Sequence, residues 1–453
     1  MYTHRMNNYS TQDTIYALAT AWGKSAIAVV RVSGAGCIEA LSKAVLGRDI
    51  TKVHTNRAVY CELVSPQDAT PVDDVVITIY RNGHGYTGEE AAEISCHGGL
   101  SVVRAVLSTM ANLGFRQALP GEFSLRAFLH GKMDLTRAEA VNELINAQGN
   151  AGRQMALNRL NGALYNRIAA IKNELVEIMS IIEVQLDYSE DEIGEDLTFP
   201  TRKLNEVINA ILTIHDSYNS GRLYSQGARI VLAGPSNAGK SSLFNYFLKE
   251  ERSIVSPEKG TTRDFIEAMC TIDGIPIRLY DTAGFRDVSD NRIEQEGIRR
   301  SYNLVDGADI IIYLVDSTDI CEIDQNVVSD KRCIAVLNKV DLKDVDVPGF
   351  IKLSVATGFG FKELCDEIVQ KLTSNIPNSD DYGVVIESDR QKDNLFMATE
   401  ALKSAKLAVE KNLPLDIVSM DIQEALEALG EITGDITTDD ILDRIFGNFC
   451  VGK

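Results

Sequence analysis

Apolar positions change their rhythm three times along the chain. Between about Asp13 and Ala118 they come in short runs: Ala26 to Val32 and Val75 to Tyr80 read as strands, Leu100 to Leu113 as a helix, and Asn82-Gly83 as a turn. This texture predicts a compact α+β domain. From Thr136 the period lengthens, and Leu160, Leu164, Ile168, Ile171, Leu175, Ile178, Ile182 and Leu186 follow one another at steps of three or four. Such spacing predicts one long helix with a single apolar face. The acidic stretch from Ser189 to Asp196 predicts a solvated loop, and Pro200 precedes a further helix through about Asn219. Gly221 and Gly227 then mark a change to alternating strands and helices that runs to about Ile376. After Pro377-Asn378-Ser379-Asp380-Asp381 the helical period returns, through Ala425, Leu426 and Leu429 to Ile441, Leu442, Ile445 and Phe446. Neither helical stretch could bury its stripe alone. The pattern therefore predicts an α/β and α multidomain chain: an N-terminal α+β domain (1–124), a discontinuous helical domain (125–222 and 380–453), and an inserted α/β domain (223–379).

Composition bounds the function. Of 453 residues, 45% are apolar and 24% charged, an ordinary globular balance that excludes a largely disordered chain. Lys and Arg number 45 against 65 Asp and Glu, a formal charge of −20. A phosphate backbone is repelled on average by such a chain, so contact with nucleic acid requires a local basic surface or a more basic partner. No apolar run approaches the roughly 18–20 residues that span a bilayer, and no basic-then-apolar segment opens the chain, so a cytoplasmic protein without membrane contact is expected. Cys37, Cys61, Cys96, Cys270, Cys321, Cys333, Cys365 and Cys450 form no C-x-x-C pair, which indicates neither a zinc site nor a disulfide framework. His97, beside Gly98-Gly99 and without a carboxylate nearby in sequence, reads as a turn or core histidine.

The inserted domain carries the clearest chemistry. Arg229 to Ala233 reads as a buried strand, Gly234-Pro235-Ser236-Asn237-Ala238-Gly239-Lys240-Ser241-Ser242 as a phosphate loop, and Leu243 to Phe247 as the helix it opens. Glycines let successive N–H groups point at phosphates, the helix N-terminus adds partial positive charge, Lys240 supplies a point charge, and Ser241 can ligate Mg²⁺. A second strand, Pro276 to Tyr280, ends in Asp281-Thr282-Ala283-Gly284. Here Asp281 can hold Mg²⁺ through water and the Gly284 N–H can meet a γ-phosphate. A third strand ends in Asp316 and a fourth in Asn338-Lys339-Val340-Asp341. The amide and carboxylate of Asn338 and Asp341 have the spacing of the guanine-reading motif of small GTPases. Ser354-Val355-Ala356-Thr357-Gly358 resembles the loop that completes the guanine pocket. These elements predict a Ras-like GTP site.

Hydrolysis needs a group to hold the attacking water. In Ras-like GTPases a Gln follows the Asp-x-x-Gly run, but here Phe285 stands there. A phenyl ring cannot hold water, which shifts the role to the following segment with Arg286, Asp287, Asp290, Arg292, Glu294 and Glu296. The segment Ser256 to Asp264 supplies the threonine expected to close on Mg²⁺ and the γ-phosphate, Thr262. No arginine finger is evident.

Asn237 in the phosphate loop, Gly260-Thr261-Thr262-Arg263-Asp264 and the apolar residue after Asp-Thr-Ala-Gly together resemble the MnmE (TrmE) family of tRNA-modifying GTPases. Flanking stretches extend the resemblance over essentially the whole chain: Ile27 to Gly34 with Arg31, Glu93 to Gly99, Pro120 to Phe128, Gly131 to Leu135, and the terminal Phe449-Cys450-Val451-Gly452-Lys453. The resemblance implies K⁺-stimulated, Mg²⁺-dependent GTP hydrolysis and a homodimer. It also implies a partner, an MnmG-type flavoprotein bearing FAD, in a heterotetramer that modifies the wobble uridine of certain tRNAs. The group installed would be aminomethyl or carboxymethylaminomethyl, its one-carbon unit from a 5-formyl or 5,10-methylene tetrahydrofolate and its amine from ammonium or glycine. By the same resemblance the N-terminal domain binds folate and forms the dimer, with Arg31, Glu93, Lys132 and Lys453 as folate contacts. Mg²⁺ would be held by Ser241 and Thr262, K⁺ by Asn237, Ser256, Glu258 and Thr261, and the attacking water by Glu294. Cys450 reads either as a thiol in the modification chemistry or as a packed terminal residue. The family's Thr-Pro-Pro-Gly-Arg-Gly-Gly is here Thr20-Ala21-Trp22-Gly23-Lys24-Ser25-Ala26, and Val355 replaces the commoner alanine in the guanine-pocket loop. A contrasting expectation is a regulatory GTPase switch without folate chemistry.

Overall fold

The computed structural model describes residues 12–187, 199–250, 266–281, 307–320, 323–374 and 384–452. They fall into two compact units, one within Met1–Asn142, Arg159–Phe199 and Ala401–Lys453, the other within Glu143–Asn158 and Pro200–Glu400.

The first unit contains a seven-stranded sheet. Its strands are β1 (Ile15–Leu18), β2 (Ile27–Ser33), β3 (Val45–Leu46), β4 (Arg57–Val64), β5 (Pro71–Tyr80), β6 (Ala91–His97) and β7 (Arg116–Gln117), in the order β3-β4-β5-β6-β2-β1-β7. Neighbours are antiparallel except β7, which runs parallel to β1. Alternation along β2 sends Ala28, Val30 and Val32 into the core, where they meet Val103, Val106 and Met110 of α2 (Leu100–Asn112) and Ile38 and Leu41 of α1 (Cys37–Ser42). The opposite face of β2 carries Arg31.

A charged knot closes this sheet. Arg126 of α3 (Glu122–Leu129) is 1% exposed and reaches Asp13 at 2.9 Å, Glu89 at 3.3 Å and Glu122 at 3.3 Å. Arg116 binds both Asp13 and Glu122 at 2.5 Å. Burial alone would raise the Asp13 carboxyl, but the hydrogen bond and charge of Arg116, joined by Arg126, hold it below its ordinary 3.8. Its stabilising contribution is thus complete above that value and is lost as pH falls through the lower folded one. Replacing Arg126 by Ala leaves Glu89 without its charge partner and Glu122 with Arg116 alone, and unfolding measured at pH 7 should show a loss of about 3 kcal/mol. An unchanged Tm would contradict this role.

The helical part departs from the expected single long helix. Residues 150–160 form α5 (Asn150–Leu160), following α4 (Leu135–Asn146), and the long helix α6 (Ala163–Asp187) starts afresh after Gly162. Gly162 has φ +92°, and a Cβ there would lie 2.3 Å from the Arg137 guanidinium, so the chain turns at that residue. Leu160 therefore belongs to the preceding helix, while Leu164, Ile168, Ile171, Leu175, Ile178 and Ile182 form the buried stripe and Leu186 is 45% exposed. The expected loop from Ser189 to Asp196 lies outside the described residues.

In the second unit, α7 (Thr201–Asp216) and α8 (Tyr218–Gln226) lead into the sheet. Gly221 does not end a helix as its type suggested. It lies buried inside α8, where a Cβ would meet the Ile386 carbonyl at 2.1 Å. The strands are β8 (Ala228–Ala233), β9 (Ile266–Ile272), β10 (Ile275–Asp281), β11 (Ile310–Asp316), β12 (Cys333–Asn338) and β13 (Ile351–Lys352), in the order β13-β12-β11-β8-β10-β9. All are parallel except β9, which pairs antiparallel with β10 through the Asp273-Gly274 turn, both residues at positive φ. That Asp-Gly pair was the available hairpin signal for β9, a strand absent from the expectations above. Helices α9 (Lys240–Glu250) and α11 (Phe361–Thr373) cover the sheet, and a single turn, α10 (Gln325–Val328), lies between β11 and β12. The chain continues through α12 (Asp389–Glu410), α13 (Leu415–Thr433) and α14 (Asp439–Phe446), with α13 packed on α6 in the first unit.

Candidate functional site

The chemistry of the second unit gathers at the carboxyl ends of its parallel strands, where ligands of open α/β sheets bind. Gly234 follows β8 with φ +132°, and a Cβ there would come within 2.1 Å of the Leu314 carbonyl, so the phosphate loop lies hard against β11. Asn237 takes φ +64° and is exposed, the left-handed geometry that a short amide side chain tolerates. Gly239, with φ +100°, would place a Cβ 2.2 Å from the Asn338 amide. Lys240 opens α9, 9% exposed, and its ammonium donates to the carbonyls of Gly234 at 2.9 Å and Pro235 at 2.8 Å, inside the curl of the loop. The Ser241 hydroxyl donates to Asp281 at 2.7 Å, and Asp281 is 3% exposed at the end of β10. These oxygens are the hard donors that Mg²⁺ selects.

Asn338 ties two loops together. Its amide donates to the Ala238 carbonyl at 2.9 Å and its oxygen accepts from the Val355 N–H at 3.2 Å, with the side chain 2% exposed. It thereby holds the phosphate loop beside the loop after β13. Lys339, at φ +65°, donates to Asp316 at 2.5 Å. Burial alone would raise the Asp316 carboxyl, but the Lys339 bond and the Thr318 hydrogen bonds hold it below the usual value. The Asp341 carboxylate is exposed and accepts from the Ser354 hydroxyl at 2.6 Å, which fixes its plane. Thus Asn237, Ala238, Gly239, Lys240, Ser241, Ser242, Asp281, Asn338, Lys339, Asp341 and Ser354 stand at the carboxyl ends of one sheet's strands, on strand ends, loops and the first turn of α9. Ser256, Glu258, Thr261, Thr262, Gly284 and Glu294 lie outside the described residues.

A second constellation sits in the first unit. Arg31 on β2 faces Glu93 on β6 in register, and its guanidinium donates twice to Glu93 Oε1, at 2.8 and 3.0 Å. The guanidinium carbon lies 5.2 Å from the Tyr86 ring centre and 5.6 Å from that of Phe123, while Tyr80 donates to Glu93 Oε2 at 3.3 Å. Gly452, 421 positions away in sequence, accepts from Arg31 at 3.2 Å. Arg31, Tyr80, Tyr86, Thr87, Ala91 and Glu93 line a cavity of about 100 Å³. Lys132 donates to the Gly83 carbonyl at 3.1 Å and packs its stem on Gly88. Cys450 is exposed, with its carbonyl 3.5 Å from the Gly121 N–H, and Lys453 lies outside the described residues. Sequence reasoning missed Tyr80, Tyr86, Phe123 and Gly452, because only strand register and the path of the terminus bring them to Arg31. His97 also has the partner its neighbours in sequence lacked: its Nδ1 and Asp73 are 2.7 Å apart.

Comparison with known proteins agrees with this geometry. Residues 14–132 match the GTP-binding protein TrmE N-terminus, and residues 135–450 match the MnmE helical domain. The chain belongs to the MnmE family. Among relatives within the family, the tRNA modification GTPase MnmE of Treponema denticola is 38% identical, over 99% of this chain and 100% of that one. The MnmE of Borrelia recurrentis is 38% identical, covering 98% and 99% of the two chains, and that of Carboxydothermus hydrogenoformans 37%, covering 98% and 100%. Among the described residues no helix is long and apolar enough to cross a membrane.

Proposed function

We propose that this chain is a GTP hydrolase that drives tRNA modification, acting with an MnmG-type flavoprotein on the wobble uridine. The observation that carries the reading is the convergence of Lys240, the Ser241–Asp281 pair and the Ser354-anchored Asp341 at the carboxyl ends of one sheet's strands. Lys240 and the loop N–H groups bind the phosphates, and Asp341 accepts the two guanine N–H groups that adenine lacks. Ser241 and Thr262 are the residues to hold Mg²⁺, which supplies charge neutralisation at the phosphoryl oxygens. Asn237, Ser256, Glu258 and Thr261 are the residues to hold K⁺, whose positive charge stands in for an arginine finger. Glu294 orients the attacking water in place of the missing glutamine.

In the N-terminal domain, Arg31 and Glu93 form the floor of the one-carbon site. Their mutual neutralisation and the adjoining Tyr80 and Tyr86 rings suit a flat, hydrogen-bonding heterocycle such as the folate ring system. The cavity between them admits only part of a folate; Lys132 and Lys453 are assigned to its anionic tail. The working assembly is a cytoplasmic homodimer joined to its FAD-bearing partner as a heterotetramer. The chain divides into a folate-binding and dimerisation domain (1–124), helical segments (125–222 and 380–453) and a GTPase domain (223–379).

Two measurements test the reading. GTP turnover should be markedly faster in K⁺ than in Na⁺ at equal ionic strength, and equal rates would remove the cation from the mechanism. Transfer RNA from cells lacking this protein should lose the aminomethyl-type group at the wobble position, and an unaltered nucleoside composition would overturn the modification role.

A further inference from the structure

The one tryptophan of the chain is Trp22, in the stretch that departs from the family's Thr-Pro-Pro-Gly-Arg-Gly-Gly. A tryptophan is usually well buried, yet Trp22 is 57% exposed. Its ring carries the Arg104 guanidinium from α2, with the guanidinium carbon 5.9 Å from the ring centre. The surrounding loop is pinned to the end of β6: Ser25 N–H donates to the Gly98 carbonyl at 3.1 Å, and Gly98 N–H to the Ala26 carbonyl at 3.2 Å. A Cβ on Gly98 would come 2.2 Å from the Ser25 hydroxyl, so this crossing is close enough to require glycine. Beside it stand exposed Lys24, Ile27 at 63% and His97, whose ring is held by Asp73.

The two stretches that build this surface carry no acidic residue of their own. The chain holds 65 Asp and Glu, yet none occurs between Asp13 and Glu39 or between Glu93 and Glu122, the two stretches that build the platform. Asp73, the carboxylate that reaches it from β5, is only 10% exposed and is taken up by His97. An exposed indole with a neighbouring guanidinium, a lysine and no competing exposed carboxylate on either stretch is the chemistry that grips an unpaired nucleobase and its phosphate. The placement agrees. Ile27 and His97 face each other in register, as do Arg31 and Glu93. The platform therefore lies at the far end of the strand pair that bears the proposed one-carbon site, about 13 Å along it at 3.3 Å per residue.

We propose that Trp22, with Arg104 and Lys24, is the contact by which this acidic chain holds an unpaired base of its RNA substrate. The proposal rests on the tRNA-modification reading and adds to it a place for the RNA. Because the chain has one tryptophan, its fluorescence, excited beyond the absorption of the tyrosines, reports on this site alone. Titrating the full-length protein with a short RNA hairpin carrying an unpaired loop should quench that fluorescence saturably, and a fully paired RNA of equal length should not. Trp22→Ala should weaken hairpin binding, followed by anisotropy of a labelled RNA, about ten-fold, the size of one lost stacking contact, while Trp22→Phe retains most of it. Arg104→Ala and Lys24→Ala should each flatten the salt dependence of binding. GTP turnover of all four variants should match the parent, and their thermal melts should too, which shows that the unit bearing the substitutions still folds. Hairpin affinity unchanged in Trp22→Ala would overturn the proposal. So would quenching that follows protein concentration without RNA, which would assign the platform to a second copy of the chain. Either result leaves the modification reading standing if tRNA from the cells still requires the protein; loss of that requirement would instead defeat the reading itself.

Discussion

Asp341→Asn should turn the site away from guanine, lowering GTP affinity by roughly 10²–10³-fold and raising affinity for xanthosine triphosphate. The carboxylate is acceptor-only, and guanine presents a ring N–H and an amino group side by side, so both oxygens are used. Xanthine replaces the amino group by a carbonyl, which an amide can meet with its NH₂ while its oxygen accepts from the ring N–H. A site built for hydrogen bonds discriminates strongly against a ligand that leaves buried polar groups unpaired. The Ser354 hydroxyl, 2.6 Å from Asp341, can turn to accept or donate and so tolerates the substitution. Competitive titration with the two nucleotides decides the matter. A variant that still prefers GTP as the parent does would show that guanine is read elsewhere.

Lys240→Ala should abolish useful nucleotide binding. The ammonium is preorganised within the loop, held by the Gly234 and Pro235 carbonyls at 2.9 and 2.8 Å. Each charge-assisted bond it makes to a phosphate oxygen is worth about 1.5–3 kcal/mol, so two lost bonds correspond to roughly 10²–10⁴ in affinity. The same substitution deprives the Gly234 carbonyl of this donor and leaves the exposed Pro235 carbonyl to water and the Ala238 N–H, and about 1 kcal/mol of stability should go with it. Calorimetric titration with a non-hydrolysable GTP analogue, beside a thermal melt, separates the two effects. Affinity within a few-fold of the parent would displace Lys240 from the phosphate site.

Much of this architecture is legible in residue order because its causes are local. The phosphate loop is a contiguous run whose glycines and asparagine meet backbone demands at Gly234, Asn237 and Gly239, and the strands around it are runs of branched apolar residues buried on both faces. The order α+β, helical, α/β, helical follows from the changing period of apolar positions. Period alone does not reveal where a helix is interrupted: Gly162 breaks the stripe because its backbone turns left-handed beside Arg137, a contact that no spacing announces. Nor could the type of residue 221 distinguish a helix stop from a close crossing with Ile386. Asp273-Gly274, by contrast, was a local hairpin signal that went unread.

The candidate sites divide in the same way. Which residues can bind phosphate, guanine or Mg²⁺ is a matter of side-chain chemistry at short spacing, and the linear order carries it. That Asn338 spends its amide on Ala238 and Val355, staking the two nucleotide loops together, depends on strand order β12-β11-β8 and emerges only when the sheet is assembled. Arg31 acquires Glu93 through antiparallel register, and Gly452 because the chain end returns across 421 positions to accept its hydrogen bond. Trp22 gains its meaning from Arg104 one helix away. Short-range sterics and apolar periodicity act between neighbours in sequence and so can be read there. Pairings across a sheet are set by the packing of distant segments, whose energy belongs to the folded whole.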